Sequence, residues 1–538
     1  MLDELRDDLP GNFKALTSAA QKKYVDSVEV PLQWRVAESL KRKINYILFN
    51  PYGLPQFVGN TYCETIASCY DPHTEFFPPE EKENFESELG KQPFLFGFTI
   101  KTDKNGGVII DKLQPGSPAF KGGKLKKGDK FIALQWEGGK PVNVEDISVN
   151  EIAALMDESN HKQMTFTMKK ADGSIVQVPL QKEQVADNDD EDKVKSFILK
   201  GAKTIGYIYL PAFYEDWEDS NDGLNGCAND VGREIIKLKK ENIDGLILDL
   251  RYNGGGSAQE ATELAGIFID AGPVEQIKDR GEKIYTLKDV DRGTIYDGPL
   301  AILVNGYSAS ASELLAGTLQ DYNRAVIIGS PTYGKATAQV VFPMDTTVTQ
   351  ENIAQIKTEN YLKITVSKLY RITGATAQFK GVQPDIVLPD ILDAYITKEA
   401  DVPCALRPNV INANKYYEAY PPLPLGTLTA AVQNEIDTSK YLNEVKKFIT
   451  YSKQQKQDDI TLSLKAELTD SYSGINDDGT LDQNVKSKKF TVQNNAYETA
   501  LLQEDENAKE LNEEFSQQLT VDTYVSIAYD VLAKLKNQ

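Results

Sequence analysis

The chain has 538 residues, of which 41% are hydrophobic and 26% charged, and a formal net charge of −21. That length exceeds what one hydrophobic core supports, so several domains are expected, and the acidic balance argues against a nucleic-acid partner, whose phosphates need a basic surface. No run of 18 or more apolar residues occurs, which excludes a membrane-spanning helix of ordinary length. The opening stretch MLDELRDDLPG has neither the basic nor the apolar region of an export signal. The protein is therefore expected to be cytosolic, or exported with its signal absent from this sequence. Residues 1–90 read as helical, with apolar residues near helical spacing in LQWRVAESLKRKINYILF and FVGNTYCETIAS. A turn, DPHT, and an acidic helix entry with prolines at its start follow. Cys63 and Cys69 are predicted on one helix, ~9 Å apart along its axis and beyond disulfide reach. No CxxC or HExxH pattern is present and the chain has only two histidines, so no metal site and no cofactor are expected.

From about Gln92 the texture changes to short strands separated by Gly/Pro turns, predicting a β-rich domain over residues 91–186. It ends in ADNDDEDK, which reads equally as a linker or a solvated loop. Between Phe197 and Pro389 strands and helices alternate: TIGYIYLPAF, a helix over 229–240, the apolar strand GLILDLRYN, the helix SAQEATELAGIFI, the strand LAILVN, the helix SELLAGTLQDY and the strand AVIIGS. KATAQVVF and YLKITVSKLYRI add two further strands, and the alternation predicts an α/β core over residues 187–392. Residues 393–538 are polar and read as a helical domain. They close on VDTYVSIAYDVLAKLKNQ, whose Val521, Tyr524, Val525, Ala528, Val531, Leu532 and Leu535 form one apolar stripe for packing. The predicted class is a multidomain α+β protein: an α/β core, an inserted β domain, and helical N- and C-terminal regions.

The chemistry concentrates in NGYSASASELLAGTLQDYNRAVIIGSPTYGKATAQ. Ser310 falls at the predicted start of a helix, and Lys335 just after a Gly-containing turn at the start of a strand. A serine hydroxyl needs a base to take its proton. A lysine amine can do so only when neutral, which requires its pKa, ~10.4 when unperturbed, to be lowered. Burial does this, and the positive end of a helix beginning at Ser310 pushes the same way. If Lys335, Thr337 and Gln339 lie on one strand face, Gln339 can hold the lysine amine. Ser310 and Glu313 also fit a capping box, a purely structural reading of that serine. Gly254, Gly255 and Gly256 follow a buried strand and precede a helix, where bare backbone amides can stabilise an oxyanion. A phosphate-binding loop is the rival, but GxxxxGK[ST] is absent. Asp249 and Arg251 are expected to pair or to cap locally, in a structural role and not a catalytic one. His73 is expected to stabilise the DPHT turn, and His161 to sit in an exposed loop.

DLRYNGGGS, NGYSASASELLAGTLQDY and GSPTYGKATAQ resemble the three signatures of the S41 carboxy-terminal processing peptidases, nearest to the long, tail-specific (Prc-type) members. DPHTEFFPPEE is similar to the segment preceding that family's PDZ domain, YLKITVSKLYRITGATAQFKGVQPDIVLP to the end of its catalytic core, and VSIAYDVLAKL to the end of its long members. The resemblance implies Ser310 as nucleophile, Lys335 as base, and Asp321 and Gln339 as supporting residues. It further implies an oxyanion hole from Gly255, Gly256 and the amide of Ala311. The β-rich domain then resembles a PDZ module, with Leu95, Phe96, Gly97 and Phe98 as its carboxylate-binding loop. Leu95 departs from the usual glycine there, and Phe96 and Phe98 read either as ligand contacts favouring apolar tails or as strand core.

These implications amount to a serine endopeptidase that recognises the apolar C-termini of protein substrates, located in the periplasm or cell envelope, with an envelope adaptor protein among its implied partners. The alternatives are a non-catalytic PDZ scaffold, or a ligand-binding protein on the same fold.

Overall fold

A computed structural model describes residues 13, 16–48, 53–78, 94–103, 107–114, 117–145, 147, 149–157, 163–184, 194–215, 226–345, 347, 360–455, 489–503 and 506–535. The acidic helix entry expected after the DPHT turn, the ADNDDEDK stretch and His161 lie outside these residues. The described chain divides into two compact units. One holds the residues up to Thr65 and those from Phe94 to Gln184; the other holds the rest. This grouping cuts across two of the expected domains. The chain from Ile66, expected within the N-terminal helical domain, belongs with the α/β core, and so do the described residues beyond 393.

The first unit contains helix α1 (Ser18–Leu48) and most of α2 (Leu54–Ser68), and a small β domain. Its strands β3 (Phe98–Thr102), β4 (Val108–Leu113), β5 (Lys130–Trp136), β7 (Gln163–Lys169) and β8 (Ile175–Gln181) form one sheet in that order, with β6 (Val142–Asn143) on β5. A two-stranded ladder of β2 (Phe94–Leu95) and β9 (Glu183–Gln184) lies beside it in sequence. In β7 the residues Met164, Phe166 and Met168 are buried while Thr165 and Thr167 are less so, the alternation of a half-buried strand.

The second unit is built on a seven-stranded sheet. Strand β10 (Lys195–Gly201) and β11 (Thr204–Tyr209) form a hairpin. From β11 the sheet runs parallel through β12 (Gly245–Asp249), β15 (Leu300–Val304), β16 (Val326–Gly329) and β19 (Ile386–Val387). The central strands are buried at every position because both faces are covered, and apolar throughout except for Asp249 at the end of β12. Leu246, Leu248 and Ile302 pack among helices α5 (Cys227–Lys240), α6 (Ala258–Gly266) and α7 (Ala311–Asp321). Ile247, Ala301 and Leu303 pack on the opposite face with α8 (Leu425–Thr438) and α12 (Thr523–Lys534). Each fully buried Leu or Ile contributes about 1.5–3 kcal/mol. The stripe Tyr524, Val525, Ala528, Val531 and Leu532 is spent on this sheet face. A four-residue strand near the C-terminus, β20 (Phe490–Gln493), pairs antiparallel with β10 and forms the sheet's edge, a strand the sequence reading missed.

A second sheet of this unit centres on the long β18 (Tyr361–Arg371), which pairs with β1 (Glu75–Phe77), β13 (Gly272–Asp279) and β17 (Thr337–Pro343), while β14 (Ile284–Asp289) pairs with β13.

Candidate active site

Strand β15 delivers the chain to the turn Asn305–Ala309, which is fastened to the loop after β12. Ser308 Oγ donates to the carbonyl of Leu250 at 2.8 Å, and Asn305 Oδ1 accepts the amides of Tyr252 and Tyr307, each at 3.1 Å. Ser312 Oγ and the Ala309 amide both donate to the carbonyl of Asn253, at 2.9 and 3.1 Å. Held on both sides, Ser310 adopts φ 55° and ψ −111°, a backbone conformation that costs an L-residue about 1–3 kcal/mol. Helix α7 begins at the next residue. Ser310 and Glu313 are placed as the expected capping box, with Glu313 Oε2 accepting the Ser310 amide at 2.9 Å.

Glu313 also organises the lysine. Its Oε1 accepts from Thr332 Oγ1 at 2.5 Å and from the Gly334 amide at 2.8 Å, and its Oε2 accepts the Lys335 amide at 2.9 Å. Burial pushes the Glu313 pKa up to about 7 even though these donors pull it down. Lys335 lies in the extended loop before β17, not in the strand as expected. Its side chain and Ser310 line one cavity with Val274, Glu275, Glu313, Leu314, Thr318, Ala336, Leu369, Arg371 and Ala377. The cavity has a volume of about 10 Å³, the room of roughly one water. Burial is the largest cause holding the Lys335 amine below the ordinary lysine range, and the neighbouring charge that helps is Lys363, while Glu399, Glu75 and Glu313 oppose it. The amine has no hydrogen-bond partner among the described residues.

The other predicted residues fall less simply. Gln339 does not hold Lys335. Thr337 and Gln339 do share a face, but Lys335 precedes the strand, and the Gln339 amide donates to Thr337 Oγ1 and Thr365 Oγ1, both at 3.0 Å. Asp321 sits at the far end of α7, outside the cavity lining. It binds Arg371, whose Nε and Nη2 reach its carboxylate at 2.9 and 2.5 Å, and Arg371 in turn lines the cavity. Gly255 is corrected as an oxyanion donor, since its amide is taken by Asn253 Oδ1 at 2.9 Å. Its role is close approach: at φ 107° a Cβ there would stand 2.8 Å from the Ala309 carbonyl oxygen and 2.9 Å from Ser310 Cβ. Gly256 has φ 135° and bridges to Phe213 through its neighbours' bonds. The amide of Ala311, in the first turn of α7, makes no backbone hydrogen bond among the described residues. Arg251 pairs with Asp249 as expected, and also with Asp522 at 2.8 Å.

Several members of the site carried no local signal. The DPHT turn packs onto β18: Asp71 accepts from Thr365 Oγ1 at 2.8 Å, which joins it to Gln339. His73 Nε2 donates to the buried Glu399 at 2.8 Å. Glu399 accepts from Gln378 Nε2 at 2.8 Å, and Gln378 Oε1 accepts the Ala336 amide at 2.7 Å. This chain of bonds ends on the residue following Lys335. Sequence reading had its strongest chance with Glu313, seen there only as a capping residue.

In the first unit, the expected ligand loop is divided. The Phe96 side chain is buried in the domain core, 4.9 Å from the Phe166 ring centroid in an edge-to-face pair, so the strand-core reading holds for it. Phe98 is half-buried beside the same core and Leu95 is 37% exposed. Gly97, at φ 85°, lies so close to Ser117 that a Cβ could not fit, and its carbonyl accepts from Ser117 Oγ at 3.0 Å.

Residues 204–388 match the model of peptidase family S41 and residues 86–169 match that of the PDZ domain. The S41 domain contains Ser310, Lys335 and the glycine loop, and the matched PDZ segment contains the 95–98 loop. The tail-specific protease of Haemophilus influenzae is 32% identical over 343 residues, covering 62% of this chain and 46% of that protein. The chloroplastic carboxyl-terminal-processing peptidase 2 of Arabidopsis thaliana is 29% identical, covering 60% and 59%. The carboxyl-terminal-processing protease of a Picosynechococcus strain is 27% identical, covering 61% and 72%. The chain thus spans about half the length of the first two relatives. The S41 and PDZ domains fit the expected multidomain α+β class. Among the described residues, no group of three or more His, Cys, Asp or Glu is arranged to hold a metal, and no helix is long and apolar enough to cross a membrane.

Proposed function

We propose that the protein is a serine endopeptidase of the carboxy-terminal processing type, with Ser310 and Lys335 as its catalytic dyad. The observation that carries this reading is that Ser310 and the unpartnered Lys335 amine line one small cavity, where burial lowers the amine's pKa. Neutral Lys335 takes the hydroxyl proton as Ser310 attacks the carbonyl. The oxyanion is met by the Ala311 amide at the positive end of α7, with Gly256 as second donor. Lys335 then passes its proton to the leaving amine, and water releases the acyl group. Gln339 and Asp321 are positioning residues, acting through Thr365 and Arg371 respectively. Glu313 fixes both backbones.

On this reading the PDZ domain holds the apolar C-terminus of a protein substrate by adding it as a strand, the terminal carboxylate meeting backbone amides of the Leu95–Phe98 loop. Phe96 supports that loop from within the core, while Leu95 and Phe98 remain to contact the ligand. Protein substrates with apolar tails, an envelope adaptor protein and a periplasmic or envelope location follow from the same proposal.

The test is incubation of the purified protein with an unfolded protein carrying an apolar C-terminus, followed on a gel. Cleavage lost in Ser310→Ala and in Lys335→Ala supports the dyad. Cleavage at the parent rate in either variant rejects it, and an intact substrate with the parent protein favours a binding role.

A further inference from the structure

One carboxyl in the cavity has no part in the proposed dyad. Glu275 stands on β13 just after its bulge, is only 7% exposed, and lines the cavity shared by Ser310 and Lys335. Its Oε2 is buried without a hydrogen-bond partner among the described residues. A buried polar oxygen left unpaired is costly, and the cost is relieved only by a donor brought to it. No donor reaches it in this structure: the Lys335 amine shares the cavity without bonding it, and Arg371, its neighbour across the strand pair, is engaged by Asp321 and Gln320. The remaining walls are the apolar Val274, Leu314, Ala336, Leu369 and Ala377, with Thr318, whose hydroxyl donates to the Val274 carbonyl at 2.9 Å. Burial, with the nearby Glu313, pushes the Glu275 pKa up to about 8. Near neutral pH it is therefore largely protonated, able both to donate and to accept one hydrogen bond.

The side chain of the residue whose carbonyl is attacked branches one atom from that carbonyl. A cavity reached at the Ser310 hydroxyl is the one it enters. We infer that Glu275 determines specificity at this position, closing a small pocket that prefers a short hydroxyl-bearing side chain, serine first, over apolar side chains of similar size. The cavity, of about 10 Å³, is too small for lysine, arginine or an aromatic ring. The inference rests on Ser310 being the nucleophile, and it names the substrate class of that same site.

The test uses the full chain and peptides amidated at the C-terminus, identical except for Ser, Ala, Val or Lys at the residue before the cut. The Ser peptide should have a kcat/KM about tenfold above Ala, the scale of one hydrogen bond. Glu275→Val should reverse that order in favour of Ala and Val, and Glu275→Gln should retain the Ser preference. Calorimetric binding of the same peptides to Ser310→Ala should show the same ranking without turnover. An unchanged Ser-to-Ala ratio in Glu275→Val, in cleavage or in binding, overturns the inference. A retained ranking in binding with no cleavage by the parent protein would reject the dyad and leave the pocket standing.

Discussion

One oxygen of Glu313 accepts the main-chain amides of both Ser310 and Lys335, each at 2.9 Å. The two residues are 25 apart in the chain, and this carboxylate sets the register between them. Glu313→Gln would put an amide donor where four donors converge. Cleavage should fall by about 100-fold or more, with about 1–3 kcal/mol lost from unfolding free energy by denaturant titration. Parent-like cleavage would remove Glu313 from the site.

The pH dependence of cleavage follows from the amine. Lys335 is held below the ordinary lysine range, so kcat/KM should rise from neutral toward alkaline pH and level off before an unperturbed lysine would titrate. Lys363 disfavours the added proton. Lys363→Met should therefore move the rising limb to higher pH, an effect a general loss of packing would not produce. A limb that stays in place argues against this electrostatic account.

Glu275 ties stability to pH with a definite sign. Its folded pKa of about 8 lies above the carboxyl value of 4.5, so the folded state binds the extra proton. The cost of ionising it is absent below about pH 4.5, grows between about 4.5 and 8, and is constant above that. Glu275→Gln should gain stability relative to the parent at pH 9 but not at pH 4, by up to a few kcal/mol. Equal shifts at both pH values would contradict the assignment.

Gly255 has no room for a side chain and a positive φ. Gly255→Ala should displace Ser310, lowering kcat by about 10²-fold while costing about 1–3 kcal/mol in stability. Steady-state kinetics beside thermal unfolding would separate the two effects.

His73 is joined to the lysine loop through Glu399 and Gln378, not to Ser310. His73→Ala should strip a partner from a buried carboxylate, costing about 1–3 kcal/mol and slowing turnover. It should leave the alkaline limb of the pH profile where it was, whereas a histidine acting as base would take that limb with it.

The site was legible where its residues are neighbours in sequence. The serine turn, the glycine loop and the lysine loop each carry their chemistry within about ten residues, and a strand–turn–helix pattern announces the scaffold. What failed was what long-range pairing decides. Gln339 was aimed at the wrong partner because the strand begins only at Thr337, after Lys335, and the cross-strand Thr365 that takes its amide is set by pairing with β18. Asp71, His73 and Glu399 reach the site from opposite ends of the core. Glu275 is a charged residue in a strand, which by pattern alone reads as a solvated face. The strand FTVQ was lost in polar surroundings because four residues give too short an alternation to read.

That short strand has a consequence for biosynthesis. The hairpin edge formed by β10 waits for a partner made almost 300 residues later, and the sheet face opposite α7 waits for α12. A chain emerging from the ribosome therefore holds its serine and lysine turns well before the layer that clamps their scaffold exists. Folding of this unit is completed only once β20 and α12 have been made, a slow, topologically distant closure.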